Sequence, residues 1–287
     1  MCRIAIVTDS SSGLSPDLIA RHELHVLPYY IIAGGRMLRD GIHISREEVF
    51  RLLRDGRHLP NTKAPSQEDY AALLRSLLGK VDAAVVVLPS RERTAAYQHA
   101  ESARRGIPDL PIALVDSRST SAGQALVVLA AVRARDAGGD LETVAHAAQA
   151  AAARMEFWIV LESLKFAARS GRVPNIAQYI ESIVSPVPVL RHENGAPHIA
   201  FTARSADQAI ERMERELVER VRGTQAHVAI AHTGNAAQAE SVRDWAQSTW
   251  SPASLHVMEI SPIIAVYSGP GAIGIAVYEE PSPPPSP

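Results

Sequence analysis

Residues Arg3 to Ile19 read Arg-Ile-Ala-Ile-Val-Thr-Asp-Ser-Ser-Ser-Gly-Leu-Ser-Pro-Asp-Leu-Ile, an apolar run that stops abruptly in hydroxyl and carboxylate groups. The apolar, mostly β-branched segment Ile4 to Val7 is typical of a strand that is covered on both faces. Ser15 followed by Pro16 is a typical helix start, because serine caps the first turn and proline fits the first helical position. This stretch therefore predicts a strand, a polar loop and a helix, as in an α/β fold.

Polar loops follow three predicted strands of the first half. The loop Thr8 to Ser12 follows the first strand, and the strands Ala83 to Leu88 and Ile112 to Val115 lead into Ser90 to Thr94 and Ser117 to Ser121. Parallel strands place such loops at one edge of the sheet, which is where ligands of open α/β sheets bind. Capped turns use the same residue types, so this pattern alone leaves both a ligand site and ordinary turns open.

The composition limits the classes of partner. The chain has 287 residues and is 46% hydrophobic, so we expect two domains. Its 29 basic and 31 acidic residues give a formal charge of -2, which provides no positive field for a nucleic acid. The longest apolar run, Ala125 to Val132, is too short to span a bilayer. We therefore expect no nucleic-acid partner and no stable membrane insertion.

The ends of the chain and its cysteine content suggest a compartment. Cys2 is the single cysteine, so we expect no internal disulfide and a reducing, cytoplasmic setting. The opening Met-Cys-Arg-Ile leads directly into the first predicted strand, and we expect no signal peptide. Residues 281–287 read Pro-Ser-Pro-Pro-Pro-Ser-Pro and predict a disordered, polyproline-like tail.

The two halves of the chain have different patterns. Strand and helix patterns alternate in the first half, where Leu24 to Ile32 is predicted as one continuous strand. In the second half, Val187 to Ala203 predicts a hairpin with Asn194-Gly195 in its turn. The sequence therefore predicts an α/β protein of two domains: a Rossmann-like parallel-sheet domain over residues 1–155 and a smaller α+β domain over residues 156–280.

Six motifs, in this order and over nearly the whole chain, resemble those of the DegV family. They are Thr-Asp-Ser-Ser (Thr8 to Ser11), Thr-Lys-Ala-Pro-Ser (Thr62 to Ser66), Thr-Ala-Ala-Tyr-Gln-His-Ala (Thr94 to Ala100), Val-Asp-Ser-Arg-Ser (Val115 to Ser119), Ser-Gly-Arg-Val (Ser170 to Val173) and Ser-Gly-Pro-Gly (Ser268 to Gly271). The stretch Tyr267 to Gly271, which contains the last motif, also predicts a tight turn, because it combines two glycines with a proline.

The resemblance implies a bacterial fatty-acid-binding protein. In well-studied members of the family, the bound fatty acid is presented to a separate kinase, which phosphorylates its carboxyl group with ATP. The implied role is thus a lipid-binding carrier and not an enzyme, with a long-chain fatty acid and a fatty acid kinase subunit as partners and with no cofactor or metal. The head-group loops are implied for residues 1–155, and the acyl-chain pocket for residues 156–280.

The resemblance also implies which residues hold the carboxylate. Thr62 matches the family's carboxylate-holding threonine, while Thr94 and Ala95 match a serine and glycine whose hydroxyl and backbone amide hold the same group. Arg172 matches the arginine of a Gly-Gly-Arg motif. Tyr267 stands where the family has histidine, and tyrosine donates a hydrogen bond without becoming cationic. We therefore expect a rewired polar network, which leaves the coupling to a kinase open.

Other functional classes fit parts of the sequence. A nucleotide-binding enzyme suits the alternating first half, but no Gly-x-Gly-x-x-Gly follows the first strand and no Walker loop occurs. Ser10 or Ser11 beside Asp9 suits a hydrolase, but there is no Gly-x-Ser-x-Gly elbow. His192 and His198 lack the helical spacing of metal ligands. The alternatives left open are a non-catalytic structural protein and an α/β enzyme that acts on a small phosphorylated or acyl substrate.

Overall fold

The architecture was obtained as a computed structural model that describes residues 2–171, 173, 176, 187–223 and 225–280. Arg172, one of the predicted site residues, lies outside these ranges, as does the 281–287 segment predicted to be a disordered tail. Within the described ranges, no helix has both the length and the apolar character needed to cross a bilayer.

The described strands form three sheets. The strands are β1 (Ile4–Asp9), β2 (His25–Leu27), β3 (Tyr30–Ala33), β4 (Arg36–Arg39), β5 (Asn61–Lys63), β6 (Ala83–Leu88), β7 (Ile112–Asp116), β8 (Glu156–Val160), β9 (Val187–Glu193), β10 (Ala196–Ala203), β11 (Ala226–His232), β12 (Ser254–Glu259) and β13 (Ile273–Glu279). A parallel sheet has the order β2-β1-β6-β7, a mixed sheet has the order β10-β9-β8-β13-β11-β12, and a small antiparallel sheet has the order β4-β3-β5.

The described helices connect and cover these sheets. They are α1 (Pro16–Arg21), α2 (Arg46–Asp55), α3 (Gln67–Ser76), α4 (Ala96–Arg105), α5 (Ser121–Asp136), α6 (Leu141–Ala153), α7 (Lys165–Ser170), α8 (Ala206–Arg220), α9 (Ala236–Trp250) and α10 (Pro262–Ser268). The predicted α/β class with a Rossmann-like parallel sheet is confirmed. The limits of the two domains, 1–155 and 156–280, stay a prediction.

The opening stretch forms the centre of the parallel sheet. Every residue of β1 is buried, because the strand lies between β2 and β6. Ser15 caps α1 as its sequence pattern predicts: its Oγ accepts a hydrogen bond of 3.3 Å from the Leu18 amide. Between the two elements, Ser10–Ser12 form a short 3₁₀ turn that ends at Gly13, whose φ of 69° favours glycine.

Helix α5 joins the parallel and mixed sheets. Its residues Ser121 to Val132 are all buried, and the run Ala125 to Val132 is apolar on all sides, which is typical of a helix that lies inside a protein. It contacts β1 and β6 on one side and β11 and β13 on the other. The two sheets therefore pack around a shared helix, and the polar start of α5 lies where they meet.

The mixed sheet presents different side chains on its two faces because strand side chains alternate. On β8, Phe157 and Ile159 belong to the core shared with the parallel sheet, whereas Trp158 and Val160 belong to a separate core. That second core lies beneath α8 and α9, and it includes Met213 and other residues of those helices. The first face is therefore the one that can border a site between the sheets.

The single strand predicted over Leu24 to Ile32 is wrong. The segment forms two strands, β2 in the parallel sheet and β3 in the antiparallel sheet. Pro28 lies between them, and proline has no amide hydrogen with which to continue a ladder. The break lets the chain leave the parallel sheet and build the small sheet that carries Thr62 on β5.

Candidate functional site

A cavity lies where the carboxyl edge of the parallel sheet meets the mixed sheet, and the empty space in it and its open mouth together is about 820 Å³. The amino-terminal half contributes hydroxyl side chains that include those of Ser11, Tyr29, Thr62, Ser90, Thr94 and Thr120. The other half contributes apolar side chains that include those of Ile159, Leu161, Ala167, Leu190, Ile263 and Ile264. The three polar loops thus meet at one edge, as the sequence predicts.

Two predicted site residues, Thr62 and Tyr267, form a hydrogen bond with each other through their hydroxyl groups. Thr62 lies on β5, where it pairs with Ile31 of β3, and Tyr267 lies in the last turn of α10. The start of α10 at Pro262 explains why Tyr267 is helical and does not lie in the predicted turn, since proline favours the first helical position. The predicted tight turn begins only after Ser268.

Thr94, a third predicted site residue, lines the same cavity. Its Oγ1 shares a hydrogen bond of 2.9 Å with the Tyr29 hydroxyl and accepts one of 3.3 Å from the Ala96 amide. The second contact places Thr94 just before the amino terminus of α4, where the helix dipole favours a negative charge. Ala95 is the N-cap of α4 and is not among the residues that line the cavity.

The buried carboxyl of Asp9 lies beneath the cavity floor. The Ser11 hydroxyl, which lines the cavity, donates a hydrogen bond to Asp9 Oδ1 and lies 2.8 Å from Gln124 Oε1. Burial raises the pKa of Asp9 to about 6, although hydrogen bonds from Ser11 and Gln124 oppose this increase. The Tyr70 hydroxyl also lowers the pKa of Asp9, but the two groups do not reach hydrogen-bond geometry. The hydrogen bonds to Asp9 and Gln124 therefore hold the Ser11 side chain in one orientation.

Two further residues line the cavity that the sequence does not identify as site residues. Arg93 precedes Thr94 directly, and it is the one residue with a formal charge among the described residues of the wall. His192 lies on β9 two residues after Leu190, so both side chains point to the cavity face of the mixed sheet. The alternation along the predicted hairpin is a signal that could have identified His192. Arg93 has no comparable signal, because charged residues are common in loops.

The His192 imidazole is held in its neutral form. The pKa of His192 is lowered to about 3, mainly by burial and in smaller part by the nearby His198 and Arg93. The residue as a whole is half-buried and lines the cavity, while its Nδ1 is buried. It packs against Phe157, with the ring centroids 4.7 Å apart. The imidazole is therefore a neutral polar group within a mostly apolar wall.

The arrangement suits a ligand with one polar end and one apolar end. Hydroxyl donors and the amino terminus of α4 favour an anionic group at one side of the cavity. The aliphatic side chains of β8, β9 and α10 favour a hydrocarbon at the other side. Thr62, Thr94 and Tyr267 come together here, Ala95 lies beside them, and Arg172 is outside the described residues.

Comparison with known proteins gives matches over most of the chain. The profile of the family described as "Uncharacterised protein, DegV family" matches residues 3–280. A DegV domain-containing protein of Streptomyces coelicolor is 28% identical over 276 residues, which cover 96% of this chain and 98% of that protein. Another, from Caldanaerobacter subterraneus subsp. tengcongensis, is 30% identical over 210 residues, which cover 73% of this chain and 75% of that protein.

A solved structure shares the fold of this chain. It is that of a DegV family protein from Thermus thermophilus, described for its fatty acid binding. The two structures superpose with a TM-score of 0.89 and 27% sequence identity, over 97% of this chain and 100% of the other. The likeness therefore extends over nearly the whole of both chains.

Proposed function

Because this chain belongs to the DegV family, we propose that it binds one long-chain fatty acid in the cavity between its parallel and mixed sheets. The observation that carries the proposal is the composition of the cavity wall, with hydroxyl groups from the amino-terminal half and aliphatic groups from the other half. A fatty acid has the same two parts. The fatty acid binding described for the Thermus thermophilus relative supports the assignment.

The affinity comes mainly from the acyl chain. Burying about 14 methylene groups, at roughly 0.8 kcal/mol each, contributes on the order of 11 kcal/mol before the costs of association are subtracted. The aliphatic wall supplies that burial through Ile159, Leu161 and Leu190 of the mixed sheet, together with Ile263 and Ile264 of α10. The predicted contribution of residues 156–280 to the acyl-chain pocket is consistent with these positions.

The carboxylate lies at the hydroxyl side of the cavity. Thr62, Thr94 and Tyr267 hold it in this proposal, because a buried carboxylate needs several converging donors. The Ala95 amide and the Arg172 guanidinium are further donors, as the resemblance to the family implies. Neither has a described contact that assigns it to the head group, so each needs its own variant, Arg172→Gln for the arginine and Ala95→Pro for the amide.

Native mass spectrometry of the delipidated protein tests the assignment. We expect one adduct per chain after incubation with palmitate or oleate, and none with ATP or NAD. A double variant, Thr62→Val with Thr94→Val, keeps the side-chain volume and removes two donors. It is expected to weaken fatty-acid binding by roughly 10- to 100-fold, at about 1.5 kcal/mol for each charge-assisted bond that the two hydroxyls donate to the carboxylate. An adduct with nucleotides and none with fatty acids would refute the proposal.

The function within the cell is to present the fatty acid to a separate kinase. We propose that the chain is a carrier subunit without catalytic activity and that a fatty acid kinase phosphorylates the bound carboxyl group with ATP. In this proposal the carboxyl group need not lie at the protein surface before transfer, since a docked kinase can open the site. Incubation of the loaded protein with ATP, with and without a purified kinase subunit, tests this: acyl phosphate is expected only when both proteins are present.

The proposed compartment is the cytoplasm. Cys2 is exposed and has no disulfide partner in the sequence, and such a thiol is stable in a reducing setting. Cell fractionation with an antibody to the protein checks the assignment, because recovery in a membrane or secreted fraction would contradict it.

A further inference from the structure

Three residues that line the cavity each have a buried polar atom with no hydrogen-bond partner among the described residues. The atoms are Ser90 Oγ, Thr120 Oγ1 and His192 Nδ1. Thr120 is the N-cap of α5, a position whose side chain usually accepts a bond from the first helical turn, yet its side chain makes no such bond. Ser90 is only 3% exposed. We name these three residues the second polar cluster.

The members of the second polar cluster are close neighbours. The Ser90 amide donates a hydrogen bond of 2.9 Å to the Ser119 carbonyl, next to Thr120. Ser90 Oγ also packs against the turn of the β9–β10 hairpin, since a Cβ on Gly195 would lie 2.6 Å from it. His192 lies on that hairpin, opposite Pro197 of β10. One loop of the parallel sheet, the start of α5 and the hairpin therefore converge at this point.

The second polar cluster is separate from the contacts made by the head-group residues. Thr62 bonds to Tyr267 on α10, and Thr94 bonds to Tyr29, whereas His192 stands between aliphatic residues of the mixed sheet. Its neighbour on the cavity face of β9 is Leu190, and its ring packs against Phe157. His192 thus lies within the wall that receives the hydrocarbon part of the ligand, and Ser90 and Thr120 face it from the hydroxyl-bearing loops of the amino-terminal half.

An unpartnered buried hydroxyl or imidazole is costly in a cavity that only receives methylene groups. Each such group has lost its hydrogen bonds to water and has gained none from the protein. An acyl chain without polar atoms leaves that cost in place. A hydroxyl on the chain removes it, because a hydroxyl both donates and accepts, and the cluster offers two hydroxyls and a neutral imidazole.

Each member can be aimed at the ligand by one rotation. The hydroxyls of Ser90 and Thr120 move by rotation about χ1, and the His192 ring turns about χ2. Because the imidazole stays neutral, it always carries one nitrogen that accepts and one that donates. A ligand hydroxyl can therefore bond to His192 with either polarity.

We propose that the second polar cluster recognises a hydroxyl group on the acyl chain, so that hydroxylated long-chain fatty acids are preferred ligands of this protein. The inference rests on the proposed function, since it requires a fatty acid in the cavity. It adds a substrate class and names His192, Ser90 and Thr120 as the residues that determine specificity.

Dissociation constants for stearate and for a series of hydroxystearates, each with its hydroxyl at a different carbon, test the proposal. In the natural protein, we expect at least one hydroxystearate to bind as tightly as stearate or more tightly. An apolar tunnel would instead disfavour every hydroxystearate by roughly 10-fold or more. His192→Phe keeps an aromatic ring against Phe157 and removes both nitrogens. It is expected to lower the preference for the best hydroxystearate by about 3- to 10-fold, the ratio that one neutral hydrogen bond supports.

Two further variants make the test specific. Thr120→Val preserves the side-chain shape and is expected to lower the preference for the best hydroxystearate. It keeps the proposal testable if His192→Phe does not fold. His198→Phe is the matched control, since His198 lies on the adjacent strand β10 and does not line the cavity. It is expected to leave the preference unchanged.

The outcomes separate the two proposals. If stearate binds but every hydroxystearate binds more weakly, or if both His192→Phe and Thr120→Val leave the preference unchanged, the specificity is refuted and the fatty-acid site stands. If neither stearate nor any hydroxystearate binds, both proposals fail.

Discussion

The Thr62 hydroxyl and the Tyr267 phenol form a hydrogen bond although 205 positions separate them in the sequence. The contact joins β5 of the small antiparallel sheet to the end of α10, on opposite sides of the candidate head-group site. Two hydroxyls together carry two hydrogens, and their mutual bond uses one of them. The pair therefore has at most one hydrogen, and not two, for a further acceptor.

This shared hydrogen predicts that Thr62 and Tyr267 act as one unit. Thr62→Val and Tyr267→Phe each remove one hydroxyl. One of the two hydroxyls donates directly to the carboxylate. The variant that removes this hydroxyl is expected to bind palmitate about 10-fold or more weakly, which is the effect of losing one hydrogen bond to a charged group. The double variant is expected to lose about as much as the weaker-binding single variant. Isothermal titration of all four proteins measures the coupling, and fully additive losses would show that the two hydroxyls contact the ligand independently.

Gly269 is the position where a side chain would do most damage near the site. Its φ of 75° and ψ of -178° are a combination that essentially only glycine adopts. A Cβ there would lie 2.8 Å from Cε2 of Phe166, whose side chain is buried. We expect Gly269→Ala to reduce the free energy of unfolding by about 2–4 kcal/mol and to weaken fatty-acid binding, because α10 would have to shift.

Gly138→Ala is the control for backbone strain alone. Gly138 also has a positive φ, of 87°, but a Cβ there would meet nothing within 4 Å. It is expected to cost about 1 kcal/mol and to leave binding intact. Chemical denaturation of both variants measures the difference, and equal losses would show that the contact with Phe166 has no consequence.

Most of the fold could be predicted from local patterns. The first strand, the capped helices and the Asn194-Gly195 turn are specified by residues that lie within a few positions of one another, and the structure contains all of them. The hydrophobic pattern does not reveal the break between β2 and β3 at Pro28, because apolar residues continue on both sides of it. Helix α10 was missed because its residues read as a plain apolar run, although Pro262 marks its start.

The candidate site was less predictable because it is assembled by the tertiary structure. The sequence places Thr62 and Tyr267 in separate motifs, and only the packing of β5 against α10 brings them into contact. The spacing of His192 and His198 argues against a metal site and indicates no other role for His192. Its place on the cavity wall depends on the packing of the hairpin against the parallel-sheet loops. The amino-acid composition of a segment does not show whether one of its polar residues will line a partly apolar cavity.

The buried carboxyl of Asp9 predicts an unusual dependence of stability on pH. Burial raises its pKa from 3.8 to about 6. Between these values the folded protein retains a proton that the unfolded chain has lost, so this group's contribution to stability falls as the pH rises through the interval. Above it, the buried charge costs on the order of 3 kcal/mol, at 1.36 kcal/mol for each pKa unit.

Asp9→Asn tests this dependence. Asparagine keeps an oxygen for the Ser11 donors and places an amide where Oδ2 has no hydrogen-bond partner among the described residues. We expect the variant to gain stability relative to the natural protein as the pH rises from about 4 to 6 and to be the more stable of the two at pH 7. Denaturant titrations of both proteins at several pH values measure the difference in their free energies of unfolding. The contributions of other titrating groups, such as His192, are the same in both proteins and cancel in that difference. Parallel profiles would contradict the raised pKa.

The resemblance to the family's motifs implies a histidine at position 267, where this chain has tyrosine, and Tyr267→His introduces that residue. An imidazole with an ordinary pKa near about 6.5 changes charge close to neutral pH, whereas the hydroxyl pair of Thr62 and Tyr267 donates its hydrogen as a neutral group. A cationic imidazole beside a carboxylate strengthens binding, so we expect the affinity of Tyr267→His for palmitate to rise as the pH falls from about 8 to 6.

The natural protein is expected to show a flatter profile over the same range, because Thr62, Thr94 and Tyr267 supply hydroxyl donors to the head group. Tyr267→Phe is the matched control, since it removes the hydroxyl without adding a titratable ring. Any change in its affinity is expected to be the same at every pH, so that the slope of the profile is unchanged. Fatty-acid titrations at several pH values compare the three proteins. If the His and Phe variants give parallel profiles, the residue at position 267 does not interact electrostatically with the carboxylate, and the head group lies elsewhere in the cavity.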